Sequence, residues 1–112
     1  MPKIKKSCIE EIKHRVNIYD LVSRYVSLKK VGRNFKGLSP FKAEKNPSFF
    51  VYPDRGFYYC FSTSQGGDVF KFIQQKEGLG FYEAIELIAE RFGINIEYES
   101  GGGAQINVSA KK

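Results

Sequence analysis

Two short aromatic runs on either side of a proline–glycine turn constrain the fold of this chain more than any other feature. The runs are residues 48–52 (Ser-Phe-Phe-Val-Tyr) and 57–61 (Phe-Tyr-Tyr-Cys-Phe), and the turn between them is Pro-Asp-Arg-Gly at 53–56. Aromatic and β-branched residues favour strands, and proline followed closely by glycine favours a turn. The sequence therefore predicts an antiparallel hairpin near the middle of the chain.

The two faces of this hairpin are predicted to have different roles. Alternation along a strand puts Phe57 and Tyr59 on one face and Tyr58 and Cys60 on the other. One face must pack on a core, and the sequence does not say which. Rings with Lys and Arg near them on the chain form the kind of platform that binds single-stranded nucleic acid, because bases stack on the rings and phosphates pair with the cations.

The charge of the chain is unevenly distributed. The formal net charge is +6. Residues 1–60 contain thirteen Lys/Arg and five Asp/Glu, a balance of +8, whereas residues 61–112 contain five and seven, a balance of −2. This asymmetry indicates an acidic partner for the first half, with nucleic acid the commonest kind. A basic but idle solvated surface is an equally good explanation of the charge taken alone.

Helical periodicity flanks the strands, so the sequence predicts one α+β domain over residues 1–98. Apolar residues recur at helical spacing within 4–16, 18–26, 69–76 and 81–92. The N-caps are predicted at Asn17 and Asp68, and the C-terminal stops at Gly78 and Gly93. Residues 26–38 predict a second hairpin with a basic turn, 64–68 a tight loop, and 94–98 a last strand. The Gly-rich segment 99–112 is predicted to be a flexible linker.

Several classes of protein are disfavoured by what the chain lacks. No apolar run approaches the roughly 18–20 residues of a membrane span, and nothing resembles a signal peptide. Cys8 and Cys60 lie far apart in dissimilar contexts, so a disulfide framework is not expected and a cytoplasmic, reducing location fits. No nucleophile–base or paired-carboxylate pattern emerges, so we expect this chain not to be catalytic by itself.

Seven motifs along the chain occur together in one known family. They are RVNIYDLV (15–22), LKKVGRNFKGL (28–38), PF (40–41), EKNPSF (44–49), CF (60–61), GGDV (66–69) and FYEAI (81–85). With these motifs in the family's order and spacing, residues 4–98 resemble the N-terminal zinc-binding domain of bacterial DnaG-type DNA primases. The resemblance implies a zinc-ribbon-like antiparallel sheet with flanking helices. It also implies a role in engaging template DNA while a separate polymerase domain makes an RNA primer.

The chain departs from that family at the zinc ligands. The family holds zinc with Cys-Pro-Phe-His and Cys-Phe-x-Cys, and the four ligand positions are here Ser39, Lys42, Cys60 and Thr63. Zinc requires a tetrahedron of Cys, His or carboxylate ligands, and an ammonium group repels the cation. We therefore predict a metal-free domain with no cofactor.

Without zinc, these loops must be held in another way. We expect packing of Phe41, Phe49 and Phe61, together with hydrogen bonds of Ser39 and Thr63. Lys42 is expected either to pair with Asp68 or Glu44, or to point into water.

The function expected from the residues and the resemblance together is binding of single-stranded DNA template within a primase. The candidate DNA-binding residues are five cations and four aromatic rings: Lys30, Arg33, Lys36, Lys45, Arg55, Phe49, Tyr52, Phe57 and Tyr59. The expected partners are the template and a polymerase domain in cis or in trans, with a replicative helicase as a further candidate and no membrane. The alternative is a structural module that docks on the polymerase domain or the helicase without binding DNA.

Overall fold

The computed structural model describes residues 3–99, which confirm an α+β fold. Two helices precede a block of five strands and two helices follow it. In order, the elements are α1 (Lys6–Arg15), α2 (Ile18–Val22), β1 (Lys29–Val31), β2 (Asn34–Gly37), β3 (Phe49–Tyr52), β4 (Phe57–Cys60), β5 (Gln65–Gly67), α3 (Val69–Glu77) and α4 (Phe81–Phe92).

The five strands form one antiparallel meander in the order β1-β2-β3-β4-β5. Because each strand reverses direction, the β1–β2 turn at 32–33 and the β3–β4 turn at 53–56 lie at the same end of the sheet, which we call the tip. The β2–β3 loop, residues 38–48, and the β4–β5 turn, residues 61–64, lie at the opposite end, which we call the knuckle. The sheet therefore separates the basic hairpin turn from the four positions that the resemblance assigns to zinc.

The predicted aromatic hairpin is present, and its register fixes which side chains face the helices. Phe49 pairs with Cys60 and Tyr52 with Phe57 across β3 and β4. The turn closes with Gly56 at φ 71°, a left-handed conformation that a residue with a Cβ adopts only with strain. Phe49 and Cys60 are fully buried, so their face of the sheet packs on the core.

Four aromatic rings form the centre of the core at the knuckle end. Phe49 and Tyr58 stack with 5.4 Å between ring centroids, and Phe72 of α3 lies 6.0 and 5.4 Å from them. Phe41, from the β2–β3 loop, lies 5.9–6.1 Å from each of the other three rings. This cluster joins the sheet, α3 and the knuckle loop in one packed unit.

The predicted N-caps and C-terminal glycine stops are confirmed because they depend on local chemistry, whereas the second helix, predicted over 18–26, ends at Val22 and continues as a turn. The side chains of Asn17 and Asp68 each accept a backbone N–H of the first turn of the helix that follows. Gly78 and Gly93 end α3 and α4 in the left-handed conformation, at φ 69° and 67°. None of the helices in residues 3–99 is long and apolar enough to cross a membrane.

Two further predicted segments differ from the structure. The segment predicted as a tight loop contains β5, because pairing with β4 outweighs the weak strand preference of glycine. The strand predicted at 94–98 is reduced to an isolated bridge between Ile4 and Tyr98. The predicted linker, residues 99–112, lies outside the described residues except for Glu99, so the domain boundary stays a prediction.

The N-cap of α3 gives a direct test of this local analysis. Asp68 accepts the Lys71 N–H at 3.0 Å and also lies 3.7 Å from the Lys13 ammonium. We expect Asp68→Ala to lower the free energy of unfolding by about 1 kcal/mol through loss of the cap. Asp68→Asn keeps the cap oxygen and removes only the exposed ion pair, so it should change stability by less than about 0.5 kcal/mol. Chemical denaturation of both variants checks this, and equal losses would contradict it.

Candidate nucleic-acid interface and knuckle

The face of the sheet that points away from the core carries five aromatic rings in contact. The ring centroids of Phe57 and Tyr52 are 4.7 Å apart, those of Tyr52 and Phe50 6.4 Å, and those of Phe50 and Phe61 5.6 Å. Phe61 and Tyr59 complete the series at 4.8 Å. Phe61 is 60% exposed and the others are half-buried. We call these five residues the outer aromatic face.

The outer aromatic face depends on glycine in β5. Gly66 lies directly opposite Tyr59. A Cβ at Gly66 would come within 2.7 Å of the Tyr59 ring and 2.9 Å of the Tyr58 carbonyl oxygen, distances too short for real contacts. The absence of a side chain lets the Tyr59 ring lie over this edge of the sheet. The Gly-Gly pair therefore has a packing role within a strand, rather than the turn role that its sequence indicated.

Of the four rings that were predicted to stack on bases, three lie on the outer face and one lies in the core. Tyr52, Phe57 and Tyr59 belong to the outer aromatic face. The prediction for Phe49 is wrong, because Phe49 points into the core and is 0% exposed. Phe49 and Tyr52 are three residues apart in one strand and cannot share a face.

Sequence reasoning missed two members of this surface, Phe50 and Phe61. The signal that could have found them was cross-strand register. Once Tyr52 is aligned with Phe57 across the turn, Phe50 and Tyr59 are opposite each other on the same face.

Two lysines lie beside the rings. Lys29 and Lys36 are directly opposite each other in β1 and β2, and Lys36 is opposite Phe50 in β3. All three side chains therefore project from the outer side of the sheet. Neither lysine forms a salt bridge with any residue in the described range 3–99. Like charges opposite each other in a sheet are destabilising, so this pair favours an anion at the β1–β2 edge.

The other predicted cations are spread over the sheet. Lys30 is on the core side, where its ammonium lies 5.8 Å from the Phe35 ring centroid, so it is not brought together with the outer rings. Arg33 is at the tip and pairs with Asp54 at 3.1 Å. Arg55 is exposed at the tip, and Lys45 is exposed in the knuckle loop.

The knuckle is built around the one remaining cysteine of the four ligand positions. Cys60 Sγ lies 3.2 Å from Ser39 Oγ and 3.3 Å from Ser62 Oγ. Burial raises the pKa of the Cys60 thiol, but hydrogen bonds from the Ser39 and Ser62 hydroxyls and from the Thr63 backbone outweigh burial and lower that pKa to about 7. Thr63 Oγ1 is a buried oxygen without a hydrogen bond to the residues that the structure describes, so the predicted hydrogen bond of this hydroxyl is not confirmed.

A carboxylate that sequence analysis did not single out as a knuckle anchor shares the hydrogen-bond partner Ser39 with this cysteine. Glu44 Oε2 accepts the backbone N–H groups of Ser39 at 2.8 Å and Ser48 at 3.2 Å. The Ser48 hydroxyl donates to Glu44 Oε1 at 2.8 Å and also lies 2.9 Å from Ser62 Oγ. The backbone hydrogen bond from Ser39 is the main reason that the pKa of Glu44 is below its usual value, and the hydroxyls of Ser48 and Ser62 add to this effect.

The predictions for how the knuckle is held are only partly confirmed. Phe41 and Phe49 do pack in the core, and Ser39 does form hydrogen bonds. The prediction for Phe61 is wrong, because it lies on the outer face. Of the two alternatives for Lys42, the ion pair is wrong and the exposed side chain is what the structure shows. Glu44 accepts hydrogen bonds from serines instead, and Asp68 pairs with Lys13.

The donor set of the knuckle does not fit zinc. Within the described residues, no group of three His, Cys, Asp or Glu side chains could hold a metal ion. Of the four ligand positions only Cys60 offers a thiolate, while Ser39 and Thr63 offer neutral hydroxyls and Lys42 an ammonium. The second cysteine, Cys8, is engaged elsewhere with the backbone of residues 95 and 97. This set cannot supply the four tetrahedral ligands of a structural zinc site.

Comparisons with known proteins agree with this fold. The family described as the CHC2 zinc finger matches residues 4–103. The DNA primase of Thermotoga maritima is 44% identical over 103 residues, which is 91% of this chain, and that of Halalkalibacterium halodurans is 47% identical over 92 residues, or 82%. The crystal structure of the Aquifex aeolicus primase, containing its zinc-binding and RNA polymerase domains, superposes on 80% of this chain with a TM-score of 0.75 and 34% identity.

The matched relatives are much longer than this chain. It spans 18% of the Thermotoga protein, 15% of the Halalkalibacterium protein and 22% of the Aquifex chain. The likeness is therefore to one domain of those proteins.

The position of Lys42 predicts a small effect of its removal. Because the side chain is exposed and forms no ion pair within residues 3–99, Lys42→Ala should change the free energy of unfolding by no more than about 0.5 kcal/mol. Thermal or chemical unfolding measures this. A loss well above that range would show that the ammonium does stabilise the knuckle.

Proposed function

Because the chain belongs to the CHC2 zinc-finger family of DnaG-type DNA primases, we propose that it binds single-stranded DNA template through the outer aromatic face. In this proposal the bases stack on the rings of Phe50, Tyr52, Phe57, Tyr59 and Phe61. Lys29 and Lys36 contact the phosphates at the adjoining edge. The observation that carries the proposal is this surface, in which five rings in contact adjoin two lysines opposite each other.

Two features of the outer face are unfavourable in the free domain, and a bound strand would offset both. Several large rings are partly exposed, so the favourable free energy of burying them is not gained. Two ammonium groups opposite each other also repel. An unpaired strand removes both costs at once, because its bases cover the rings and its phosphates neutralise the lysines. A duplex does not do so equally well, since its bases are already stacked on one another. The arrangement therefore favours single strands.

Further cations extend this surface in both directions. Arg55 and Arg33 are exposed at the tip, and Lys45 is in the loop at the knuckle end. We propose these residues as additional phosphate contacts along a strand that crosses the sheet. Arg33 is a weaker candidate because Asp54 already neutralises it. Lys30 is the weakest, because it projects from the other side of the sheet.

The wider context is also a proposal. We propose that the domain presents template to a polymerase domain, joined in cis or acting in trans, that makes the RNA primer in DNA replication. The replicative helicase is a further proposed partner. We assign no catalytic role to this domain and propose that it operates without zinc, since its donor set does not fit the metal.

The phosphate contacts predict a specific salt dependence. Affinity for a fluorescently labelled single-stranded oligonucleotide is measured by anisotropy. The logarithm of the binding constant should fall linearly with the logarithm of the salt concentration. Lys36→Ala should reduce the slope by about 0.7 for one lost phosphate contact. Lys6→Ala, which removes an exposed lysine of α1, is the matched control and should leave the slope unchanged. Equal slopes for all three proteins would contradict a phosphate contact at Lys36.

Stacking on the rings is tested separately. Phe57→Leu should weaken binding by about 1–3 kcal/mol at every salt concentration, because it removes a stacking surface and no charge. The matched control is Phe81→Leu, which changes a ring of α4 that is 44% exposed.

Equal effects of the two substitutions would argue against base stacking on this face. An absence of DNA binding at low salt would instead favour the alternative, in which the same rings dock on the polymerase domain or the helicase.

A further inference from the structure

A cavity of about 510 Å³ lies at the knuckle end of the sheet. Its walls come from the β2–β3 loop, from the β4–β5 turn with the start of β5, and from the last turn of α3. Gln65 of β5 is opposite Cys60, which is fully buried, so the cavity is on the core side of the sheet, away from the outer aromatic face. The lining residues are Pro40, Phe41, Thr63, Gln65, Gln75 and Lys76.

The polar side chains that line the cavity are cationic or neutral. They are one ammonium group, two amides and one hydroxyl, and no carboxylate of residues 3–99 is among them. The carboxylate next to Lys76 in α3, that of Glu77, accepts the Tyr25 hydroxyl and pairs with Arg91 at 3.8 Å, so it is engaged elsewhere. A cavity with one positive charge and no carboxylate in its walls attracts an anion.

Hydrogen bonds inside the protein leave N–H donors in these walls for a ligand. The Tyr58 hydroxyl donates to Gln75 Oε1, and the NH2 group of that amide has no partner in the described part of the chain. Burial raises the pKa of Tyr58, so its hydroxyl remains protonated and keeps the amide in this orientation. The Lys76 ammonium donates to the Pro40 carbonyl at 3.2 Å, and since an ammonium has three donors, two remain.

The volume and the apolar wall of the cavity narrow the class of ligand. Small-molecule sites typically have volumes of about 300–1,000 Å³, so a bare phosphate ion would fill only part of this one. Pro40 and the half-buried ring of Phe41 form an apolar wall beside the donors. A phosphate monoester with a flat organic group fits both parts, because its oxygens accept from the donors and its flat group packs on the ring.

We propose that this cavity binds a mononucleotide or a phosphate monoester of similar size, with the phosphate held by Lys76 and Gln75 and the organic group against Phe41. Gln65, Gln75 and Lys76 lie outside the seven shared motifs and outside the four ligand positions, so the site is distinct from a zinc knuckle. It is on the other side of the sheet from the outer aromatic face and does not depend on DNA binding there. Two sources supply this chemistry: a free nucleotide and the phosphorylated end of a DNA strand.

The first test is an NMR titration of the isotope-labelled protein with adenosine monophosphate and, separately, with inorganic phosphate. We expect adenosine monophosphate to shift the side-chain NH2 signals of Gln65 and Gln75, and phosphate to shift that of Gln75. Lys76→Gln should weaken binding of adenosine monophosphate about tenfold or more, the loss expected for a hydrogen bond from a charged donor. Lys71→Gln, which removes another exposed lysine of α3, is the matched control and should bind as the wild-type protein does.

The second test changes the amide without removing the acceptor of a buried hydroxyl. Gln75→Glu keeps an oxygen for the Tyr58 hydroxyl but replaces the NH2 donor with negative charge. The variant should therefore keep a folded NMR spectrum and lose binding of adenosine monophosphate. Gln74→Glu adds the same charge at the neighbouring position of α3, which is not among the lining residues, and should retain most of the binding.

Single-stranded oligonucleotides with and without a terminal phosphate distinguish the two sources of the ligand. If Gln75→Glu weakens binding of the phosphorylated strand alone, the ligand is a strand end. If adenosine monophosphate binds and Gln75→Glu changes neither strand, the ligand is a free nucleotide.

Three outcomes would overturn the proposal. They are an absence of shifts with both adenosine monophosphate and phosphate at millimolar concentration, equal affinities of Lys76→Gln and Lys71→Gln, and equal affinities of Gln75→Glu and Gln74→Glu. Lys36→Ala, on the outer side of the sheet, should leave binding of adenosine monophosphate unchanged. A failure of this site and a failure of DNA binding at the outer aromatic face therefore give different results.

Discussion

The stacked contact between Phe49 and Tyr58 is the constraint on which the rest of this structure depends. The two rings are fully buried, and Phe72 and Phe41 pack around them. Shifting the register of either strand by one residue would turn its rings to the other side of the sheet. The core therefore fixes the register of β3 and β4. That register leaves Phe50, Tyr52, Phe57 and Tyr59 on the outside, so the core determines the composition of the proposed binding face without touching it.

Features that follow from local chemistry could be predicted from the sequence alone. The N-caps at Asn17 and Asp68 and the stop at Gly78 involve only neighbouring residues, and all three are confirmed. The aromatic hairpin was predictable for the same reason. Strand β5 was not, because its glycines have no strand preference and form a strand only when β4 is there to pair with. The strand predicted near Tyr98 had the right alternation, but its only pairing is one bridge to Ile4.

The site was harder to predict than the fold because its members come together through register and loop conformation. Sequence reasoning identified a basic, aromatic surface, but it assigned Phe49 to the wrong face and included Lys30, whose side chain lies on the core side. Correct register would have repaired both assignments. No register argument leads to Glu44, because its partners depend on how an irregular loop folds back on itself. Departure from the zinc ligands was plain in the sequence, whereas the hydrogen bonds that join the loops of the knuckle required the structure.

The proposed binding face does not require zinc, because the outer rings and the knuckle are different parts of the sheet. The knuckle end of the sheet is held by the hydrogen bonds around Glu44 and by the packing of Phe41 in the core. The rings and the lysines on the outer side are placed by strand pairing. The two are linked most directly at residues 60–62, where Cys60 and Ser62 belong to the hydrogen-bonded knuckle while Phe61, between them, points to the outer rings. A knuckle that holds these three residues in place keeps the end of the outer face in place as well, whatever chemistry closes it.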